Sequence, residues 1–267
     1  MRKKWILFAL IVFFAGIAVY SGIRIYRIYH GYHESDTVYE ELAHYVSLPK
    51  PSAPDAARET QPSTKAPDAS EPTTAPPERD FPVVDFAALQ KINPELVGWI
   101  VCEGTQINYP VVRGQDNSYY LTHLFDGTYN SAGCIFLDYH CAADFSDTCS
   151  TVYGHHMKNG SMFSGITEYQ TQAYYDAHPD MLLLTPTGNY VLELFSGYIT
   201  DVHSDAWVRS FDTEAAYAQW LSDTAALSLF ESSVVPTTHD RVITLSTCTY
   251  EFQNARFVLI GVLRPAE

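Results

Sequence analysis

Residues 5–23 form a run of 19 residues without a charged side chain, and no other feature limits the fold of the chain as strongly. A helix of this length spans about 28 Å, close to the roughly 30 Å hydrocarbon core of a bilayer. Basic residues at positions 2–4 precede the run, and such residues favour the cytoplasmic side. The pattern predicts a cytoplasmic tail (1–4), a single-pass membrane anchor (5–23) and an extracytoplasmic remainder. A cleaved signal peptide is the alternative.

Two further segments precede the globular part of the chain. Residues 24–46 have a mixed composition with several tyrosines, which predicts a juxtamembrane stalk. Residues 47–80 contain eight prolines, no aromatic residue and only Leu48 as a large aliphatic side chain. Such a segment buries too little apolar surface to offset its ordering entropy, which predicts a Pro-rich disordered linker. If mostly extended, it would reach about 100 Å and hold residues 81–267 away from the membrane.

The charge of the chain argues against a nucleic-acid partner. The formal net charge is −15, and the chain has 16 Lys and Arg residues. Five of these basic residues flank the apolar run, and the others are scattered singly, so that no basic stripe is available to neutralise phosphates.

The globular part contains short apolar runs separated by turn residues, a pattern typical of a barrel or sandwich with a few helices. Asp85 is predicted to cap a short helix through Ile92, and Asn93-Pro94 has the composition of a second helix start. A longer helix is predicted from Asp212, with one apolar face. The predicted strands are residues 134–138, 150–154, 181–185, 190–199, 241–248 and 255–263.

Cys248 is the best candidate for a reactive thiol. The chain has five cysteines, and an odd number in an oxidising compartment leaves at least one unpaired. Cys248 ends a strongly apolar run whose alternation places it on one face with Thr244 and Ser246. The alternative is a buried, inert cysteine. The remaining four form two disulfides in any of three pairings, or stay free and buried: Cys102, Cys134, Cys141 and Cys149.

A thiol nucleophile needs a base or cation nearby. His155 or His156 could supply an imidazole at the end of the predicted strand 150–154. Arg256 opens the last predicted strand and returns beside Cys248 if the last two strands form a hairpin. Its guanidinium stays protonated and can stabilise an oxyanion. Taken singly, each residue has a structural or surface role as its alternative.

The sequence TLSTC, followed by an arginine on the next strand, resembles the signature of sortases. Residues 93–263 resemble class B sortases along nearly their whole length. The blocks that carry the resemblance are NPELVGWI, GTQINYPVV, DNSYYLTHLFDG, DFSDTCSTVYGHHMKNGSMF and TLSTCTYEFQNARFVLIGVL.

The resemblance implies a mainly β fold with added helices, namely a closed sortase-type β-barrel with an N-terminal helical segment and no cofactor. It implies a cysteine transpeptidase in which Cys248 attacks the Thr carbonyl of a C-terminal sorting signal of the Asn-Pro-x-Thr type on a secreted protein. His155 would protonate the departing amine, and Arg256 would stabilise the oxyanion with the backbone N–H of Thr249. An amine of a peptidoglycan precursor would then resolve the thioester at a Gram-positive-type cell surface. The implied substrate-binding residues are Asn93, Leu96, Tyr153, Ser246 and Thr249.

Three alternatives to this function remain at the level of sequence. They are a hydrolytic cysteine protease, a pilin-polymerising sortase, and a non-catalytic tethered adhesion or scaffold domain. The chain also departs from its relatives at Cys149, where they commonly carry Asn. The spacing of Cys141, Cys149 and the histidines matches no standard zinc pattern, so no metal site is predicted.

Overall fold

The computed structural model describes residues 2–47 and 80–266. The helices are α1 (Arg2–Ala43), α2 (Phe86–Ile92), α3 (Gln172–Ala177) and α4 (Glu214–Ala226), with 3₁₀ turns at Tyr119–Leu121, Ser164–Gln170 and Asp205–Trp207. The strands are β1 (Val46–Ser47), β2 (Val83–Val84), β3 (Leu96–Val101), β4 (Asn108–Val112), β5 (Ile135–Leu137), β6 (Cys149–Tyr153), β7 (Asp180–Thr185), β8 (Gly188–Asp201), β9 (Val242–Cys248) and β10 (Ala255–Pro265).

Strands β3 to β10 form a closed barrel in the order β10-β8-β7-β3-β4-β5-β6-β9. The pairs β4–β5 and β6–β9 are parallel, and the other neighbouring pairs are antiparallel. The predicted closed, mainly β barrel with added helices is confirmed. The predicted hairpin of the last two strands is confirmed as well, because β9 and β10 pair over seven residue positions from Arg256↔Cys248 to Val262↔Val242.

The two faces of β9 and β10 meet different partners because side chains alternate along a strand. Ile243 and Leu245 join the main core. Val242, Val258 and Ile260 join a second apolar cluster beneath α4. The predicted apolar face of α4 is confirmed, and its buried residues are Tyr217, Trp220, Leu221 and Thr224. Helix α4 therefore covers the outer face of the strands that carry Cys248.

The predicted helix start at Asn93-Pro94 is wrong. Asp85 caps α2 as predicted, accepting a hydrogen bond from the Ala88 N–H at 2.9 Å. Asn93, however, ends α2, and β3 begins at Leu96. The apolar run after Pro94 is buried in the barrel, and this tertiary packing outweighs the local preference for a helix start.

Helix α1 differs from the predicted division into anchor and stalk, because it runs unbroken to Ala43. Its last turns bury Ser35, Tyr39 and Leu42, and Tyr39 and Leu42 belong to the main core of the barrel. Residues of the chain before position 81 thus pack as part of the globular fold. Of the predicted disordered linker, residues 48–79 lie outside the described part of the chain.

Candidate active site

The β9–β10 hairpin places Arg256 directly opposite Cys248. Directly opposed residues of an antiparallel pair point to the same face of the sheet, so the guanidinium and the thiol share one side. Cys248 and Arg256 are each partly exposed, whereas the strand residues beside them, Thr247 and Phe257, are buried. The hairpin therefore presents a thiol and a cation together at the end of the barrel.

The parallel pairing of β6 with β9 brings the histidine block to the same end. Tyr153 is level with Ser246, and the Gly154 N–H donates to the Ser246 carbonyl at 3.1 Å. The next residue, His155, continues beside the end of β9. Its Nε2 lies 2.7 Å from the Leu121 carbonyl oxygen. Because a carbonyl oxygen only accepts, Nε2 carries a proton, and Nδ1 remains available for a second partner.

His156 also reaches the site, through the main chain of the nucleophile. Its Nδ1 donates to the carbonyl oxygen of Cys248 at 2.9 Å. Its ring lies 5.5 Å from the ring of Tyr250, two residues beyond the thiol. His156 therefore holds the end of β9 and the start of the following loop. The sequence offered both histidines but gave no signal for this contact.

Two hydrogen-bond donors converge on the carbonyl oxygen of Ala255. The backbone N–H of Thr249 donates to this oxygen at 3.2 Å, and Nη1 of Arg256 donates to it at 3.0 Å. These are the two groups that the sequence assigns to an oxyanion. The Thr249 hydroxyl donates to the carboxylate of Glu251, and this bond lowers the pKa of Glu251. Both donors thus lie beside Cys248 and share one acceptor in this structure.

A buried carboxylate, Asp138, holds Tyr153 in place. The Tyr153 hydroxyl donates to Asp138 Oδ2 at 3.1 Å, and Asn117 Nδ2 donates to the same oxygen at 3.0 Å. The backbone N–H of His140 donates to Oδ1 at 2.9 Å. Burial raises the pKa of Asp138, but these hydrogen bonds outweigh burial and hold the pKa below its usual value. Burial and the nearby carboxylate raise the pKa of Tyr153.

Trp207 covers Ser246 from the opposite side of the cleft. Its indole Nε1 donates to the Ser246 hydroxyl at 3.3 Å. Trp207 ends a 3₁₀ turn that is tied to α4, since Trp220 Nε1 donates to the Asp205 carbonyl at 2.9 Å. Tyr153, Ser246 and Trp207 therefore line one cleft that leads to Cys248. A lone tryptophan in a loop gives no sequence signal for such a role.

The structure does not bring Asn93 and Leu96 to this cleft. Asn93 Nδ2 donates to the Tyr120 hydroxyl at 2.9 Å and to the Phe125 carbonyl at 2.8 Å. Leu96 is only 2% exposed and begins β3. Strand β3 lies four strand positions from β9, roughly 19 Å around the sheet. Both side chains serve internal packing, and Leu121, beside His155, is the exposed leucine at the site.

Cys248 differs from the other four cysteines, all of which lie in the described part of the chain. All five are free thiols, so the disulfide alternative has no support in the structure. The other four are buried. Burial raises the pKa of Cys102 and Cys141, and raises that of Cys134 and Cys149 to about 12. Thiols with raised pKa values are poor nucleophiles.

Residues 2–47 and 80–266 contain no group of three metal-ligating side chains placed to hold an ion. The site therefore offers covalent thiol chemistry, with a cation and backbone donors for the oxyanion and an imidazole for proton transfer. A closed barrel with these groups at one end defines a cysteine transpeptidase of the sortase class.

Comparison with known proteins gives the family. Sortase B of Listeria monocytogenes is 35% identical over 177 residues, which cover 66% of this chain and 72% of the Listeria protein. A Staphylococcus aureus sortase B–substrate complex superposes with a TM-score of 0.65 at 33% identity, covering 68% of this chain and 85% of the other. Sortase B from B. anthracis in complex with AAEK1 gives a TM-score of 0.70 at 28% identity, covering 89% and 100%.

No model of a protein family matches the chain. The relative from Listeria and the solved structures nevertheless agree with one another and with the barrel. The chain belongs to the sortase B family.

Proposed function

We propose that Cys248 cleaves a C-terminal sorting signal of the Asn-Pro-x-Thr type at its Thr and transfers the protein to a cell-wall amine. The observation that carries this proposal is the register of β9 and β10, which sets the one partly exposed thiol among the five cysteines directly opposite Arg256. The thiolate attacks the Thr carbonyl, a tetrahedral oxyanion forms, and the peptide C–N bond breaks to leave a thioester. The acceptor amine then attacks the thioester and regenerates the thiol.

Each group at the site has one role in this sequence. Arg256 and the Thr249 N–H stabilise the oxyanion, since the structure holds both on a single carbonyl oxygen beside the thiol. His155 donates the proton that the leaving amine requires. Tyr153 and Ser246 line the cleft that receives the signal peptide. Asn93 and Leu96 receive no substrate role here, because their side chains are buried elsewhere.

Two S. aureus structures support the two substrates. Sortase B of that organism is described in a substrate complex and in a complex with triglycine. By similarity, we assign this chain a sorting-signal peptide as acyl donor and a primary amine as acceptor.

The position of the chain in the cell forms part of the proposal. Helix α1 is long and apolar enough to cross a membrane, by length and composition, and its side chains from Trp5 to Ile23, where described, are exposed. We place the basic residues before it in the cytoplasm and the barrel outside. Retention of an uncleaved α1 in membranes, shown by N-terminal sequencing, tests this placement, and a mature chain that starts after residue 15 contradicts it.

A peptide panel tests the substrate assignment. The full chain in detergent micelles is incubated with quenched fluorescent peptides that carry Asn-Pro-x-Thr or Leu-Pro-x-Thr-Gly, with and without an amine acceptor. We expect cleavage of the first peptide and its loss in Cys248→Ala, whereas His239→Ala, an exposed change, keeps the activity. Cleavage of neither peptide, or equal cleavage by the Cys248→Ala variant, would overturn the assignment.

A further inference from the structure

The last turns of α1 are docked onto the barrel by buried contacts. The Tyr39 hydroxyl donates to the Gly133 carbonyl at 2.6 Å, and its ring packs edge-on against Tyr109 at 5.3 Å. Tyr39 and Leu42 are 8% and 4% exposed. A helix held by a buried hydrogen bond and an aromatic pair does not pivot freely on its support.

A second set of contacts lies closer to the apolar run. Asn130 Nδ2 donates to the Gly31 carbonyl at 2.9 Å and to Glu34 Oε2 at 3.0 Å. On the same part of the helix, Asn159 Nδ2 donates to Asp36 Oδ1 at 3.3 Å. The docked part of α1 therefore begins at Gly31, eight residues after the apolar run ends at Ile23, which is about 12 Å along a helix.

The two ends of the Pro-rich segment are fixed side by side. Strand β1 pairs with β2, with Val46 opposite Val84 and Ser47 opposite Val83. The Asp85 N–H donates to the Tyr45 carbonyl at 2.9 Å. Residues 48–79 therefore leave the fold and re-enter it at neighbouring positions. Their length does not set the distance between α1 and the barrel.

The geometry points to α1, and not the Pro-rich segment, as the physical link between membrane and barrel. We propose that α1 and the barrel form one rigid unit that seats the barrel on the lipid headgroups. This inference rests on the membrane anchoring proposed above. It replaces a tether of about 100 Å with a helical link of about 12 Å.

The exposed stretch of α1 between the apolar run and Gly31 suits a lipid headgroup layer, which is roughly 5–7 Å thick on each side of a bilayer. Arg24 and Arg27 present cations to lipid phosphates, and Tyr26 and Tyr29 are 68% and 76% exposed. Tyrosine and basic residues are the side chains that favour this layer. The lipid surface is therefore the partner that this stretch fits.

A short series of contacts connects the docked helix to the active site. Asn130, which holds Gly31, also donates its backbone N–H to the Thr122 carbonyl at 2.9 Å. The neighbouring Leu121 carbonyl accepts the hydrogen bond from His155. With about 5 Å for each step between adjacent segments, His155 lies within roughly 20 Å of Gly31. Peptide and amine must therefore meet the enzyme near the membrane surface.

Site-specific cleavage distinguishes the two links. One variant of the full chain carries a recognition sequence for a specific protease within residues 48–79, and a second carries the same sequence in place of residues 24–30. Membranes that contain each variant are treated with the protease and sedimented, and cutting is verified on a denaturing gel. We expect the barrel to stay in the pellet after the first cut and to enter the supernatant after the second.

Each other outcome overturns a defined statement. Release of the barrel by the first cut overturns the rigid link and leaves the anchor intact. Uncut protein in the supernatant overturns the anchor, and the inference with it. Retention after the second cut shows attachment through another surface and also overturns the inference. As a check on the contacts, adding Tyr39→Ala and Leu42→Ala to the first variant releases the cut barrel, whereas Glu40→Ala with Glu41→Ala, both exposed, leaves it bound.

A distance measurement tests the same inference without a cut. Cys248 is the one partly exposed thiol among the five, so a maleimide fluorophore labels it selectively. The labelled chain is reconstituted into vesicles that contain an acceptor dye on lipid headgroups. We expect strong energy transfer that is unchanged after cleavage within residues 48–79. Weak transfer, or transfer that falls after that cleavage, contradicts a rigid link.

Discussion

The two adjacent histidines after β6 contact different parts of the site. His155 is held by the Leu121 carbonyl, and His156 holds the Cys248 carbonyl. Loss of a proton donor costs roughly 10²–10⁴-fold in rate, whereas loss of one positioning hydrogen bond costs about 1 kcal/mol, about fivefold. In a peptide-cleavage assay we expect a severe loss for His155→Ala and a mild one for His156→Ala. Equal losses in the two variants would contradict these roles.

Arg256 contributes more than a positive charge. Its planar guanidinium presents several donors at fixed angles, and a lysine ammonium does not reproduce this geometry. Removal of one oxyanion donor costs about 2.7–4 kcal/mol, or 10²–10³ in rate. We expect Arg256→Lys to lose most of kcat with little change in KM. A variant that keeps more than a tenth of wild-type kcat would exclude an oxyanion role for the guanidinium.

Asp138 links the cleft to the pH dependence of stability. Its pKa lies below the usual value of about 3.9 in the folded state, so its hydrogen bonds stabilise the fold at neutral pH. This contribution is present above the unfolded pKa and is lost as pH falls through the folded pKa. We expect Asp138→Asn to lower the melting temperature at pH 7 and to approach the wild type near pH 3. Asp176→Asn, an exposed change, serves as control, and a pH-independent gap contradicts the account.

At the scale of elements, the docked end of α1 contributes to the stability of the barrel. Tyr39, Leu42 and Val46 are buried, and burial of such side chains stabilises by about 1.5–3 kcal/mol each. A chain that starts at residue 81 loses this contribution, roughly 5–9 kcal/mol, an upper estimate. Against a chain that starts at residue 31, we expect its melting temperature to fall by about 10–20 °C or more. Equal melting temperatures would show that the helix end is dispensable.

Most elements of the barrel could be predicted because their signals are local. The apolar runs that became β5 to β10 are bounded by turn residues, and the cap at Asp85 is a contact between residues three apart. The docking of α1 gave a weaker signal. Ser35, Tyr39 and Leu42 lie on one helix face by their spacing, but the adjoining Pro-rich composition favoured a boundary at residue 81. Only the fold shows that β1 and β2 meet across that segment.

At the scale of the whole molecule, the predicted site divides by the distance between its parts in sequence. Cys248 and Arg256 are eight positions apart on one hairpin, so the sequence could indicate their pairing. The contacts of Tyr153 with Asp138, of Ser246 with Trp207 and of His155 with Leu121 depend on barrel closure. No local pattern encodes them. Asn93 and Leu96 were assigned by resemblance, and the structure buries both away from the cleft.

The central claim is that Cys248 forms a thioester which an amine resolves, and intact-protein mass spectrometry tests it most directly. The full chain is mixed with a sorting-signal peptide, quenched with acid and analysed, with Cys248→Ala as control. We predict an added mass equal to the acyl part of the peptide on the fragment that contains Cys248, and a peptide–amine product once an acceptor is supplied. An enzyme that carries no adduct, or that gives only hydrolysed peptide with every amine tested, would contradict the account.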